Sequence, residues 1–270
     1  MNKGEVLLNV EKLEVVYHNI STAVQGVSLE VKQHQIVAVL GVNGAGKTTT
    51  LRAVSGFLGI DDAKVTEGKI EFMGESIQNR PPHVISMKGV LLVPERDKLF
   101  ENLTVEENLD VCTPLMGTKL SRKDLLQRVY TYFPVLENLR NRLGGYLSGG
   151  ERQMLALSSA ILCGPILLLV DELSLGLAPL IVEELLNLMN VIRDEQEVTI
   201  LLVEQNAMAA LEIAEFGYIM ENGRIVFAGD PERLKNHQDI QEFYLGQGDR
   251  ELQKSYRDVK QYRRSRRWYG

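Results

Sequence analysis

The sequence is poor in cysteine and has no long apolar run, no internal repeat and no low-complexity stretch. Its two cysteines, Cys112 and Cys163, stand in no metal-ligand or redox spacing, so they read as packing thiols. Apolar runs such as Ile166 to Val170 are far shorter than the roughly 18 residues that suggest a membrane span. The amino end, with Asn2, Lys3, Gly4 and Glu5, lacks the basic-then-apolar order of a signal peptide. These absences predict a cytosolic protein that meets membranes only through partners. Hydrophobic and charged fractions of 44% and 24% exclude disordered and fibrous classes, and 270 residues suffice to bury a core as one or two domains.

The net charge of −6 hides an asymmetry: residues 250–270 hold eight Lys or Arg against Glu251 and Asp258, so the remainder is strongly acidic. In this tail, taken as 248–270, Leu252, Tyr256, Val259 and Tyr262 follow helical spacing, and Arg263, Arg264, Arg266 and Arg267 lead into Trp268-Tyr269. A basic helix ending in aromatics suits an anionic membrane surface, at about 1 kcal/mol per Lys or Arg. Docking on the acidic body or on a partner subunit, or a solvated tail, fits the same residues. Nucleic acid is not expected, since no reading motif accompanies the charge.

Ahead of the tail, strand-like runs at Val6–Val10, Glu14–Tyr17 and Val27–Val31 lead to a buried strand at Ile36. A helix is predicted from Lys47 towards Phe57, and strand signals recur at Lys69–Phe72 and Val90–Val93. From about Arg96 to Leu147 the pattern turns helical, with capping-box spacing at Thr104 with Glu107 and at Ser121 with Asp124. Pro114 and Gly117 separate these two helices. Strands Ile166–Val170 and Val198–Val203 then alternate with a helix from about Pro179 to Glu195, which implies a mostly parallel sheet covered on both faces. Asn222-Gly223 between two short strands predicts a hairpin, and Asp230-Pro231 a helix start. One domain over 1–247 with a helical insertion at about 96–150 is the simplest organisation.

The chemistry begins at Gly41–Thr49, GVNGAGKTT, in which Gly41, Gly46, Lys47 and Thr48 fill the pattern G-x-x-x-x-G-K-[ST]. A buried strand, a glycine-rich turn and a helix opening at Lys47 aim several N–H groups at one point, which suits a phosphate chain. Gly41, Val42, Asn43, Gly44, Ala45, Gly46, Lys47, Thr48 and Thr49 are thus the candidate nucleotide cradle. Within it Lys47 would neutralise β- and γ-phosphate oxygens, and Thr48 would offer its hydroxyl to Mg²⁺. Asp171 and Glu172 follow a predicted strand at the carboxyl edge, where open α/β sheets bind ligands. There Asp171 suits the Mg²⁺ shell and Glu172 suits a water attacking the γ-phosphate. Leu147–Gln153, LSGGERQ, offers an anion site at Ser148, Gly149 and Gly150, or a capping box between Ser148 and Glu151. The residues alone favour the cap.

LSGGERQ between a phosphate loop and an Asp-Glu strand end resembles the signature of ABC-type ATPases, a resemblance spanning roughly residues 5–235. It implies an α/β P-loop NTPase fold: a mostly parallel core sheet, an N-terminal antiparallel β subdomain and an inserted helical subdomain. It also implies hydrolysis of ATP with Mg²⁺ by two domains paired head to tail. Ser148, Gly149, Gly150 and Glu151 would then serve the partner's ATP, and Tyr17 would stack on adenine; an ordinary strand tyrosine is the alternative. Glu95 stands where most members carry a glutamine, and would join the metal site. Gln205 stands where they carry a histidine; it can hydrogen-bond a γ-phosphate but holds no charge, which leaves room for slower hydrolysis. Leu173 replaces the proline common after the catalytic glutamate.

The stretches VPERDKLFENLTVEENL, DELSLGLAP and LLVEQNA narrow the resemblance to ATP-binding subunits of branched-chain amino-acid importers, the LivF type. That branch implies a second ATP-binding subunit, transmembrane permease subunits, a solute-binding protein reached indirectly, and a peripheral place at the cytoplasmic face of the membrane. The expected function is an ATPase powering import of branched-chain or other hydrophobic amino acids or related small solutes. An ABC ATPase of another transporter branch, a soluble non-transport ABC protein and a nucleotide-gated interaction module are the alternatives.

Overall fold

The computed structural model describes residues 4–95, 99–114, 121–237 and 240; the basic tail at 248–270 and Gly117 lie outside the described residues. The chain opens with β1 (Val6–Tyr17) and β2 (Ser21–Lys32), an antiparallel pair whose alternate residues, such as Leu8, Val10, Val15 and Val27, turn inward. The runs expected as two strands, Val6–Val10 and Glu14–Tyr17, are one. Between them Lys12 adopts a left-handed φ of 48°, and its N–H donates to Ser28 Oγ at 2.9 Å. The break in the apolar pattern is therefore a bulge within a strand.

Next come β3 (Ile36–Leu40) and α1 (Lys47–Ser55), which stops short of Phe57 because Gly56, at φ 82°, takes the left-handed cap. Then β4 (Ala63–Phe72) and β5 (Glu75–Ser76) complete an antiparallel sheet of order β2-β1-β4-β5. A short helix that the sequence pattern does not announce, α2 (Pro82–Met87), precedes β6 (Val90–Val93). Among the described residues four α-helices follow: α3 (Val105–Asp110), α4 (Arg122–Tyr132), α5 (Pro134–Asn138) and α6 (Gly149–Leu162). Thr104 with Glu107 and Ser121 with Asp124 complete reciprocal capping boxes, as their spacing predicts. Arg122 donates to the carbonyls of Leu109 and Cys112, tying the start of α4 to the end of α3. Cys112 and Cys163 are free, half-buried thiols.

The chain returns to the sheet with β7 (Leu167–Asp171), α7 (Pro179–Gln196), β8 (Thr199–Glu204), α8 (Ala207–Ile213), β9 (Phe216–Glu221), β10 (Arg224–Gly229) and α9 (Pro231–Lys235). The core sheet runs β10-β9-β3-β8-β7-β6 and is parallel apart from the β9–β10 hairpin. Its central strands are buried at every position for a reason. Ile36, Ala38 and Leu40 pack into a core with α6, α7 and α8, while Val37 and Val39 pack into a second core with α1 and the antiparallel sheet. Residues of β7 and β8 divide in the same way. The expected class, a mostly parallel core sheet beside an N-terminal antiparallel one, is the one found. Among the described residues no helix is long and apolar enough to cross a membrane.

Candidate functional site

Because β3, β7 and β8 are parallel neighbours, their carboxyl ends meet along one edge, and the loops leaving them converge there. After Leu40 the chain turns through Gly41–Gly46 into α1, closing first on itself with Ala45 N–H to Val42 O at 3.2 Å. Gly44 and Gly46 have φ of 79° and 103°. At Gly41 the requirement is space, since a Cβ would lie 2.3 Å from the Met220 carbonyl oxygen. The loop is also held from outside. Gly223 in the β9–β10 turn donates to Ala45 O at 2.8 Å, and Gln25 of β2 donates to Gly223 O at 2.7 Å.

This loop borders a cavity of about 810 Å³, lined by Asn43–Thr49, Glu95, Glu172 and Leu175 together with Ser21–Ala23, Gln25 and the Asn222-Gly223 turn. Lys47 is 4% exposed, and its ammonium donates to Gly41 O at 2.8 Å and Val42 O at 3.2 Å while pairing with Glu172 Oε1 at 3.0 Å. All three of its protons are engaged. Thr48 Oγ1 donates to Asp171 Oδ1 at 3.0 Å, which joins the first turn of α1 to the end of β7. Burial pushes the Asp171 pKa up to about 6; the Thr48 hydrogen bond opposes this, and the carboxylates of Glu172 and Glu95 add to it.

Glu172 has a left-handed φ of 50°, a conformation that a non-glycine residue keeps only where its surroundings impose it. Its N–H donates to Val203 O at 3.0 Å, and its Oε2 accepts from the Gln205 backbone N–H at 3.1 Å. Tyr17, at the end of β1, shares a hydrogen bond of 3.3 Å with Thr49 Oγ1. Tyr17, Asp171 and Gln205 thus touch lining residues without lining the cavity themselves.

The signature residues stand apart from this cavity. Ser148 caps α6: its Oγ accepts from Glu151 N–H at 3.3 Å, and its own N–H donates to Glu151 Oε2 at 2.7 Å. The cap favoured by the residues alone is formed within this chain. Ser148 and Gly149 are exposed, so their outward face is accessible. Arg152 fixes the approach to the cap by donating to Leu147 O, Gly145 O and Glu101 Oε1.

For a divalent cation, Thr48 and Asp171 present a hydroxyl and a carboxylate already in contact, with Glu95 close enough to act on Asp171. These hard oxygen donors suit Mg²⁺, which keeps waters and phosphate oxygens in its shell. Among the described residues no group of three or more His, Cys, Asp or Glu could hold a metal ion on its own.

The β2 residues and the Asn222-Gly223 turn were not legible as site residues. The turn announces a hairpin, but its contact with Ala45 depends on sheet order.

Comparison with known proteins agrees with this geometry. A family profile described as ABC transporter matches residues 24–174. The chain is 39% identical to the high-affinity branched-chain amino acid transport ATP-binding protein BraG of Pseudomonas aeruginosa, over 89% of this chain and all of that one. It is 36% identical to the probable branched-chain amino acid transport ATP-binding protein LivF of Archaeoglobus fulgidus, over 82% of this chain and 91% of that one. In fold it is similar to a nucleotide-free ATP-binding cassette from an ABC transporter, with a TM-score of 0.76, 23% identity, and 88% and 98% of the two chains covered. A phosphate loop joined to an Asp-Glu strand end on this sheet, with a matching profile and such relatives, places the chain in the ABC transporter family as an ATP-binding subunit.

Proposed function

We propose that the chain binds Mg²⁺–ATP in the 810 Å³ cavity and couples its hydrolysis to import of branched-chain or other hydrophobic amino acids. The solute class rests on similarity to BraG and LivF. The observation that carries the chemistry is the Lys47–Glu172 pair set beside the Thr48–Asp171 hydrogen bond.

Backbone N–H groups of the Gly41–Thr49 loop and the Lys47 ammonium hold the β- and γ-phosphates, and Tyr17 stacks on adenine. Since Lys47 has no spare proton, it exchanges Glu172 for a phosphate oxygen. Glu172 is thereby released to accept a hydrogen bond from the attacking water. Thr48, Asp171 and Glu95 hold Mg²⁺, which when bound neutralises charge developing on the β- and γ-phosphoryl oxygens. The water oxygen forms a bond to the γ-phosphorus as the bond to the β–γ bridging oxygen breaks, Glu172 takes the water's proton and passes it on to the product phosphate, and ADP and inorganic phosphate result. Gln205 hydrogen-bonds the γ-phosphate.

Ser148, Gly149, Gly150 and Glu151 serve the ATP of a second ATP-binding subunit. The insertion at about 96–150 receives permease subunits, so the chain sits peripherally at the cytoplasmic face of the membrane, and a solute-binding protein supplies the other side. The test pairs two variants. Lys47→Ala is expected to lose ATP binding in a fluorescent-nucleotide titration. Glu172→Gln is expected to bind ATP, lose about 100-fold or more in turnover, and accumulate as a nucleotide-bound dimer on size exclusion. Undiminished turnover in Glu172→Gln would remove Glu172 from this role.

A further inference from the structure

Behind the site, at the last residue of β8, lies a further carboxylate that the chemistry above does not use. Glu204 is 1% exposed. Its Oε1 accepts the Ser174 backbone N–H at 2.8 Å and its Oε2 accepts the Ser174 hydroxyl at 2.6 Å. Burial raises its pKa, and the Ser174 hydrogen bonds pull it back. A buried carboxylate is costly to desolvate, and an apolar side chain of similar volume serves a core at least as well. Stability therefore does not explain this one.

Its position does. Glu204 adjoins Gln205, and Ser174 lies two residues beyond Glu172. The loops after β7 and β8 are consequently joined by two crossed rungs: Gln205 N–H to Glu172 Oε2 at 3.1 Å, and Ser174 to Glu204. Between the rungs sits the left-handed backbone of Glu172, held on its amino side by the Val203 carbonyl and on its carboxyl side by the Ser174 clamp. Lys47 and the Gln205 N–H hold the carboxylate itself, and Leu175 N–H closes the turn on Glu172 O at 3.5 Å, but the Ser174 clamp is what ties the carboxyl side of the turn to β8; its loss would let the turn relax towards a commoner φ and swing the Glu172 carboxylate.

We infer that Glu204 is a positioning residue for ATP hydrolysis: by clamping Ser174 it holds the turn at Glu172 in the conformation that aims the Glu172 carboxylate. This rests on the role of Glu172 proposed above.

The test uses the full chain with Glu204→Leu, which keeps volume but has no acceptor, and Glu204→Gln. In the glutamine variant the amide oxygen accepts from Ser174 N–H and the amide N–H donates to Ser174 Oγ. Turnover, KM, melting temperature and the Kd of a non-hydrolysable ATP analogue are measured together. Glu204→Leu is expected to melt no lower than the natural chain and bind the analogue within about twofold, yet lose about tenfold or more in kcat at constant KM. Glu204→Gln restores kcat to within about threefold, because geometry and not charge is at stake. Natural kcat in Glu204→Leu overturns the inference, as does a loss in kcat matched by an equal loss in nucleotide affinity. Should Glu204→Leu fail to fold, Ser174→Ala serves in its place: a drop of about threefold in kcat at unchanged Kd is expected, and natural kcat overturns the inference. Glu172→Gln, run in parallel, separates the two ideas. If it retains turnover, the role of Glu172 fails; if it loses turnover while Glu204→Leu does not, only the role of Glu204 fails.

Discussion

Asp171 is a charge that its surroundings resist: its pKa stands at about 6, against 3.8 for an unperturbed aspartate, chiefly because burial penalises the ionised form. Between those values the folded chain binds more protons than the unfolded chain, so this residue's contribution to stability is largest at low pH and is lost as pH rises through 6. Asp171→Asn removes the penalty. In the absence of divalent cation, the variant is expected to gain up to about 3 kcal/mol over the natural chain at pH 7.5, shrinking towards zero near pH 4. Thermal melts of both chains across that range check it, and a constant difference would contradict it. The placement of Asp171 and Glu172 was readable because two acidic residues after an apolar run mark a strand's carboxyl edge. The left-handed φ of Glu172 and the burial of Glu204 were not. Both depend on partners about thirty residues away, across the boundary between two parallel strands.

Among the elements, the β9–β10 turn has a task beyond reversing the chain. Asn222 and Gly223, with φ of 47° and 75°, form the turn, and Gly223 also carries the bonds to Ala45 and Gln25. A Cβ on Gly223 would lie 2.5 Å from the Ala23 carbonyl oxygen. Gly223→Val is therefore expected to cost about 1–3 kcal/mol in stability and to weaken ATP binding about tenfold, whereas Asn222→Gly, which keeps the backbone, leaves both unchanged. Equal nucleotide affinity in the two variants would show that the turn does not support the loop. Elements marked by local chemistry were readable: the hairpin from Asn222-Gly223, and the starts of α3 and α4 from capping pairs three residues apart. Where the signal was not local, the reading slipped. Lys12 interrupts the apolar pattern yet lies inside a strand, and α2 opens at the second of two prolines, Pro81-Pro82, with little periodicity behind it.

At the scale of the whole molecule, the signature residues do not line the cradle's own cavity, so the proposed reaction brings the signature from a second chain. Mixing a Ser148→Arg chain with a Lys47→Ala chain tests this: each is expected to be inactive alone, while the mixture regains about one working site per dimer, as head-to-tail pairing requires. No recovery in an ATPase assay would leave Ser148 with its capping role. Within one chain, the two cores on either face of β3, β7 and β8 make the sheet a shared wall. The same wall governs when the protein can first act during its synthesis. Every residue of Gly41–Thr49 leaves the ribosome early, but β3 sits between β8 and β9, and the loop leans on Gly223. At 5–20 residues per second, roughly 10–35 s separate synthesis of the loop from synthesis of its support. A nascent chain that has not yet reached Gly223 is therefore expected to display the complete phosphate motif without its support, and to bind ATP more weakly than the finished chain in a titration of the truncated product.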